Sequence, residues 1–191
     1  MSALGIVQKG DPRLRRRATP FHLPANAAMA REAEEILIGV GEQVRALHPF
    51  TEGPGLNAVQ LALPQCSLRY ATAVAYMPET GWITLYNPKI IRSRIGPLGS
   101  NMPIKKWEGC LSFFDERGMV PRLERITVSH ILLDGTRAKS TYEGALARLI
   151  AHEIDHLNGK IYTDYRNVVT TPVEEYRRIR AAEQAALGLG K

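Results

Sequence analysis

His152-Glu153-Ile154-Asp155-His156 is the stretch from which the rest of the chain can be arranged, and it sits late in a helical run from about Glu143 to Leu157. In an α-helix, positions i and i+4 lie about 40° apart around the axis and one turn along, so His152 and His156 project from one face and can hold a single cation. Glu153 stands beside the first histidine, where a carboxylate reaches a metal-bound water without being a ligand. H-E-x-x-H is for that reason read as a metal-hydrolase motif. The alternative is an ordinary core helix with two satisfied histidines. The shared face argues against it: projecting back from the histidines brings up Leu149 and Ala145, apolar walls over a metal, while Arg148 and Asn158 fall off that line.

Two histidines do not close a catalytic site, which takes three protein ligands and keeps a fourth position for water. Downstream, His152 to Tyr162 reads H-E-x-x-H-x-x-G-x-x-Y, near a zinc-protease pattern in which Gly159 turns the chain, but Tyr162 stands where that pattern needs a histidine. A glutamate from a following helix would be another solution, and Glu174 or Glu175 lies at a workable separation. Upstream, Cys110 in Trp107-Glu108-Gly109-Cys110-Leu111-Ser112 offers a thiolate, a strong ligand for a borderline-soft divalent metal. Spacing alone leaves these candidates open.

Three separated stretches resemble the signature motifs of the peptide deformylases. Gly53-Pro54-Gly55-Leu56-Asn57-Ala58-Val59-Gln60 is similar to G-x-G-φ-A-A-x-Q (φ apolar), Glu108 to Ser112 matches E-G-C-L-S, and His152 to Gly159 matches H-E-φ-D-H-L-x-G. The likeness runs from about Gly5 to Tyr165. It departs at Asn57, where that family has a small apolar residue, at Pro54, where a branched aliphatic is usual, and at Phe113-Phe114, where an aliphatic residue and a proline are commoner. Asn57 and Pro54 are expected to weaken methionine binding in the substrate pocket.

The resemblance implies an α+β fold, with antiparallel β-sheets around a central metal-binding helix and with an N-terminal and a C-terminal helix, in a single domain over 1–191. It implies hydrolysis of the N-formyl group from the formyl-methionine end of newly made polypeptides, releasing formate. Cys110, His152 and His156 would hold one divalent metal, Fe(II) in the cell, with Zn, Ni or Co in a purified sample. Glu153 would take the proton of the metal-bound water and pass it to the leaving amine. The Gln60 side chain and the Leu111 backbone N–H would stabilise the oxyanion, Gly55 would let backbone approach the ligand, and Leu149 and Ala145 would meet the substrate side chain. Asp155 and Arg122 would act only behind the ligands. The same centre could serve another N-formylated substrate, and a HExxH zinc protease is the remaining alternative.

Composition fits an ordinary globular enzyme: 191 residues, 45% hydrophobic and 23% charged, one domain by length. No apolar run approaches the ~20 residues of a membrane span, and Met1 to Lys9 shows no secretory pattern, so the expectation is a cytoplasmic protein with no membrane partner. The two cysteines, Cys66 and Cys110, could pair, but in such a chain a small buried Cys66 and a metal-binding Cys110 are the better assignment. A net charge of +6, with Arg13, Arg15, Arg16 and Arg17 near the start and Arg177, Arg178 and Arg180 near the end, reads as a solvated surface. No aromatic interleaving or nucleic-acid motif accompanies it; it suits work beside the RNA-rich ribosome surface without a sequence-specific nucleic-acid partner.

Apolar residues at three- and four-residue spacing, from Met29 to Leu47, predict a helix over Pro24 to Leu47 capped by Asn26. Strands are expected at Arg69 to Tyr76 and Trp82 to Ile91 about a turn at Met77–Gly81, and at Glu124 to Leu133 and Arg137 to Thr141 about Asp134-Gly135. Ser93 to Lys106 reads as a loop. Ser140-Thr141-Tyr142-Glu143 has the form of a capping box, Asn158-Gly159 stops the metal helix, and Thr171-Pro172 opens a last helix, Val173 to Leu187, whose first-turn Glu174 and Glu175 suit the helix dipole.

Overall fold

The computed structural model describes residues 1–48, 53–63, 66–92 and 103–186. The first long helix, α1, spans Ala27–Leu47, and Ala30, Ala33, Leu37, Val40 and Val44 form its buried stripe. It starts three residues later than expected because residues 23–26 form a turn. The Asn26 Oδ1 that was to cap the helix instead accepts from the His22 N–H at 2.9 Å.

The strands are β1 (Gly55–Asn57), β2 (Thr72–Met77), β3 (Gly81–Arg92), β4 (Ile104–Glu108), β5 (Glu116–Arg122), β6 (Arg125–Ile131), β7 (Arg137–Glu143) and β8 (Thr170–Pro172). Among the described residues they form two sheets, ordered β1-β2-β3-β6-β7 and β4-β5-β8, with every pairing antiparallel. Of the expected loop Ser93 to Lys106, residues 93–102 lie outside the described residues and the end belongs to β4. Ile104, Lys105 and Lys106 are exposed, so composition there reads as loop while pairing with β5 makes it a strand.

The β6–β7 hairpin turns where Asp134 and Gly135 predict, with Thr136 N–H donating to Asp134 Oδ1 at 2.8 Å and Gly135 at φ +87. No capping box forms at Ser140–Glu143, since those residues are still in register with Val128 and Arg125 on β6. Gly144 makes the corner into α2 (Gly144–Leu157): its φ of +59 is a conformation other residues rarely adopt, and its N–H donates to Glu124 O at 2.8 Å.

Helix α2 lies between the layers. Ala147, Ile150, Ala151 and Ile154 pack against Ala75, Leu85, Ile126 and Val128 of the larger sheet, the burial of each isoleucine contributing about 1.5–3 kcal/mol. That anchors one face and leaves the opposite face, with the histidines, against β1, β4 and the turn Leu111–Phe113. Gly159 at φ +74 ends the helix as expected, and α3 (Val173–Ala186) closes the described chain.

Candidate metal centre

Cys110 leaves the end of β4 and precedes the turn Leu111–Phe113, which brings its thiol over the histidine face of α2. His156 Nε2 lies 3.3 Å from Cys110 Sγ and 3.2 Å from His152 Nε2, and one ligand atom from each of the three residues falls within 4.8 Å of the others. A tetrahedral site with metal–sulfur and metal–nitrogen bonds of about 2.3 and about 2.05 Å has S···N and N···N edges of about 3.6 and about 3.3 Å. The donor set therefore fits one divalent cation in chemistry and spacing. Burial, with His152 and Arg122 nearby, pushes the His156 pKa well down, keeping the imidazole neutral as a ligand must be. At His152 burial also opposes the charge, but Cys110 and Glu108 overcome it and raise the pKa.

Behind His152 is a carboxylate fixed by arginines. Glu108 Oε2 lies 3.3 Å from His152 Nδ1, which turns Nε2 toward the other donors. Arg122 reaches Glu108 through Nε at 2.8 Å and Nη2 at 3.1 Å, and Asp155 through Nη1 at 2.5 Å. Burial works against the Glu108 charge, yet the bonds to His152 and Arg122 prevail and hold its carboxyl at about 2. Arg148 Nη2 adds a contact to Glu108 at 3.4 Å, and the same guanidinium donates to the carbonyls of Ile104 and Lys106 on β4.

On the other side Glu153 is 2% exposed, and its Oε2 accepts from Asn57 Nδ2 at 2.6 Å. Burial raises its pKa, and His152 and the Asn57 bond offset that only in part. Asn57 Nδ2 also donates to Gln60 Oε1 at 2.7 Å, while Gln60 Nε2 faces Ser112 Oγ at 3.3 Å and Cys110 Sγ at 3.5 Å. At Gly55 a Cβ would collide with Glu153 Oε1 and Leu149. A cavity of about 410 Å³ opens over the group, lined by Gly55, Gln60, Leu111, Ala145, Leu149 and Glu153, with Pro54, Trp107, Arg117 and Tyr176 farther round.

The sequence pattern of the polypeptide deformylases matches residues 3–171. The chain belongs to the polypeptide deformylase family. It is 32% identical over 167 residues to a peptide deformylase of Thermomicrobium roseum, covering 86% of each chain, and 28% identical over 187 residues to peptide deformylase 2 of a Nostoc species, covering 92% of this chain and 94% of the relative. Among solved structures, the peptide deformylase of Thermotoga maritima superposes with a TM-score of 0.65 at 28% identity, over 83% of this chain and 94% of that one. Deformylases remove the N-formyl group from newly made peptides, and this chain is a hydrolase of that reaction.

The deformylase reading brings together every residue singled out for the site: Cys110, His152 and His156 as a donor group, with Gln60, Leu111, Gly55, Leu149, Ala145 and Glu153 around one cavity. The protease candidate Glu174 lies elsewhere, paired with Arg177 on the exposed face of α3. Tyr162, standing where the protease pattern needs a histidine, packs its ring against that of His152, centroids 6.2 Å apart. Asn57 departs from expectation: it is 0% exposed and lies beneath the cavity, bonded to Glu153 and Gln60, whereas Pro54 does line the cavity. Arg148 is the residue that spacing should have found, since it stands four before His152 on the same face. The Cys66 side chain lies outside what the structure describes, and Cys110 is a free, buried thiol.

Proposed function

We propose that Cys110, His152 and His156 hold a single divalent cation and that Glu153, Gln60 and Leu111 act on a formylated peptide lodged in the cavity beside it. The observation that carries this is the convergence of the three donors within 4.8 Å, His156 lying near tetrahedral edge length from each of the other two, with a buried carboxylate and a side-chain amide on the same cavity wall. The cation, when bound, supplies Lewis acidity that lowers the pKa of a coordinated water from 15.7 to about 7. Glu153 accepts a proton at Oε1 and delivers it to the amine nitrogen, so that the C–N bond breaks with a neutral leaving group. Gln60 Nε2 and the Leu111 N–H donate to the formyl oxygen as it becomes negative, a role worth about 2.7–4 kcal/mol per donor. Leu149 and Ala145 receive the methionine side chain.

Thiolate and imidazole donors suit Fe(II), Zn, Ni and Co. Fe(II) is the proposed working metal, in a single-domain cytoplasmic enzyme that meets its substrate as nascent chains leave the ribosome. Among the described residues no helix is long and apolar enough to cross a membrane. The test is anaerobic purification, a metal count, and formate release from formyl-Met-Ala-Ser beside a panel of formylated small molecules. One metal per chain and turnover of the peptide are expected; a clear preference for a small molecule would overturn the substrate assignment. Air should inactivate an iron-loaded sample within hours and spare a Ni-loaded one, and equal lifetimes would count against iron.

A further inference from the structure

An Asn side-chain amide has two N–H donors, and those of Asn57 go to two different groups. One reaches Glu153 Oε2 at 2.6 Å and the other Gln60 Oε1 at 2.7 Å. The Asn57 backbone N–H adds a third bond, at 3.3 Å, to the same Gln60 oxygen. Turning the Asn57 amide over would set Oδ1 against a carboxylate and a carbonyl oxygen, so its orientation is fixed by its partners. Gln60 is fixed in turn, because reversing its amide would bring its own donors against those of Asn57. Nε2 is thereby the end left facing Cys110 and Ser112. With Oε2 held, Oε1 is the oxygen of Glu153 that faces Gly55 at the cavity wall.

We infer that Asn57 is a positioning residue for deformylation. One buried amide couples the proton carrier to the oxyanion donor, and so decides which oxygen of Glu153 takes the proton and which end of Gln60 meets the substrate. This rests on the roles proposed above for those two residues. Because Asn57 does not line the cavity, its contribution falls on turnover and leaves substrate binding alone. That is the opposite of a pocket-lining polar group, whose removal would change KM.

The test uses enzyme loaded with one metal, assayed on formyl-Met-Ala-Ser. Asn57→Ala should lower kcat by about 10- to 100-fold, the value of a hydrogen bond to a charged group, with KM almost unchanged. Asn57→Asp keeps the size of the side chain but turns oxygens toward Glu153 Oε2 and Gln60 Oε1, so it should be slower than Asn57→Ala. A packing role predicts the reverse order. A readout free of turnover is the thermal unfolding of chelated protein: Asn57→Ala should shift the midpoint by different amounts with Glu153 present and in the Glu153→Ala background, because the two side chains touch. Wild-type kcat in Asn57→Ala, recovery in Asn57→Asp, or additive midpoint shifts beside a crippled Glu153→Ala would overturn the Asn57 role alone. Wild-type turnover in Glu153→Ala would overturn the proton-carrier role and the positioning role with it.

Discussion

His152 and Glu153 are neighbours on α2, yet their surroundings are built on different lines. Behind the histidine stands Glu108, both of whose oxygens are engaged by the buried Arg122, with Arg148 against one of them. Around the glutamate there is one neutral amide, Asn57, on one oxygen. A metal ligand needs a fixed ring and a fixed tautomer, and saturating the carboxylate behind it with cations achieves both. The proposed proton carrier keeps one oxygen open, and burial beside a weak partner raises its affinity for protons. The same environment that holds the Glu108 carboxyl at about 2 would stop Glu153 from carrying a proton.

The largest effect tests the proton-carrier side. Glu153→Ala should lower turnover by about 10²- to 10⁴-fold while metal content stays at the wild-type level; loss of metal would move Glu153 to the ligand side. Next is the ligand side. Arg122→Met takes the main cation from the buried Glu108 and the part-buried Asp155, and removing one partner of a buried pair costs about 3–5 kcal/mol. Denaturant unfolding reads this, and an unchanged midpoint would mean the arginine does not hold the network.

The two carboxylates also predict opposite responses to pH in chelated protein. The folded pKa of Glu108, about 2, lies below the ordinary 4.5, so its contribution is present above about pH 4.5 and is lost as pH falls toward 2, up to about 3 kcal/mol. The stability gap between wild type and Glu108→Gln should narrow over that window. The Glu153 pKa is raised, so the folded state takes up its proton first and the Glu153 charge costs stability as pH rises. Glu153→Gln should therefore gain stability relative to wild type toward neutral pH, and matching trends in the two variants would erase the contrast. The smallest expected effect is at the rim, where Tyr176 of α3 meets Trp107 with ring centroids 5.2 Å apart. Tyr176→Ala should raise KM by about 2- to 10-fold, the value of one aromatic pair, with kcat unchanged.

The proposed ligand side was legible in the sequence and the proposed proton-carrier side only partly. His152 and His156 follow from helical period, and Cys110 and Gln60 from their motifs, because those signals are local. Asn57 was legible as a departure but was assigned to the pocket, since no local pattern shows that β1 passes behind Glu153, 96 residues away in the chain. Strands β4 and β8 were missed for a related reason. Of their residues only Glu108 is buried, so pairing with β5 makes them strands and their own alternation does not. Arg148 was read as falling off the line of the histidines, although its i−4 spacing from His152 puts it on their face.

X-ray absorption at the metal edge of anaerobically purified protein probes the Cys110–His152–His156 centre most directly. A centre of that composition gives one sulfur neighbour at about 2.3 Å and two imidazole nitrogens at about 2.0–2.1 Å, with the remaining position filled by a light atom. A first shell that lacks sulfur, or one unchanged in Cys110→Ser, would contradict it.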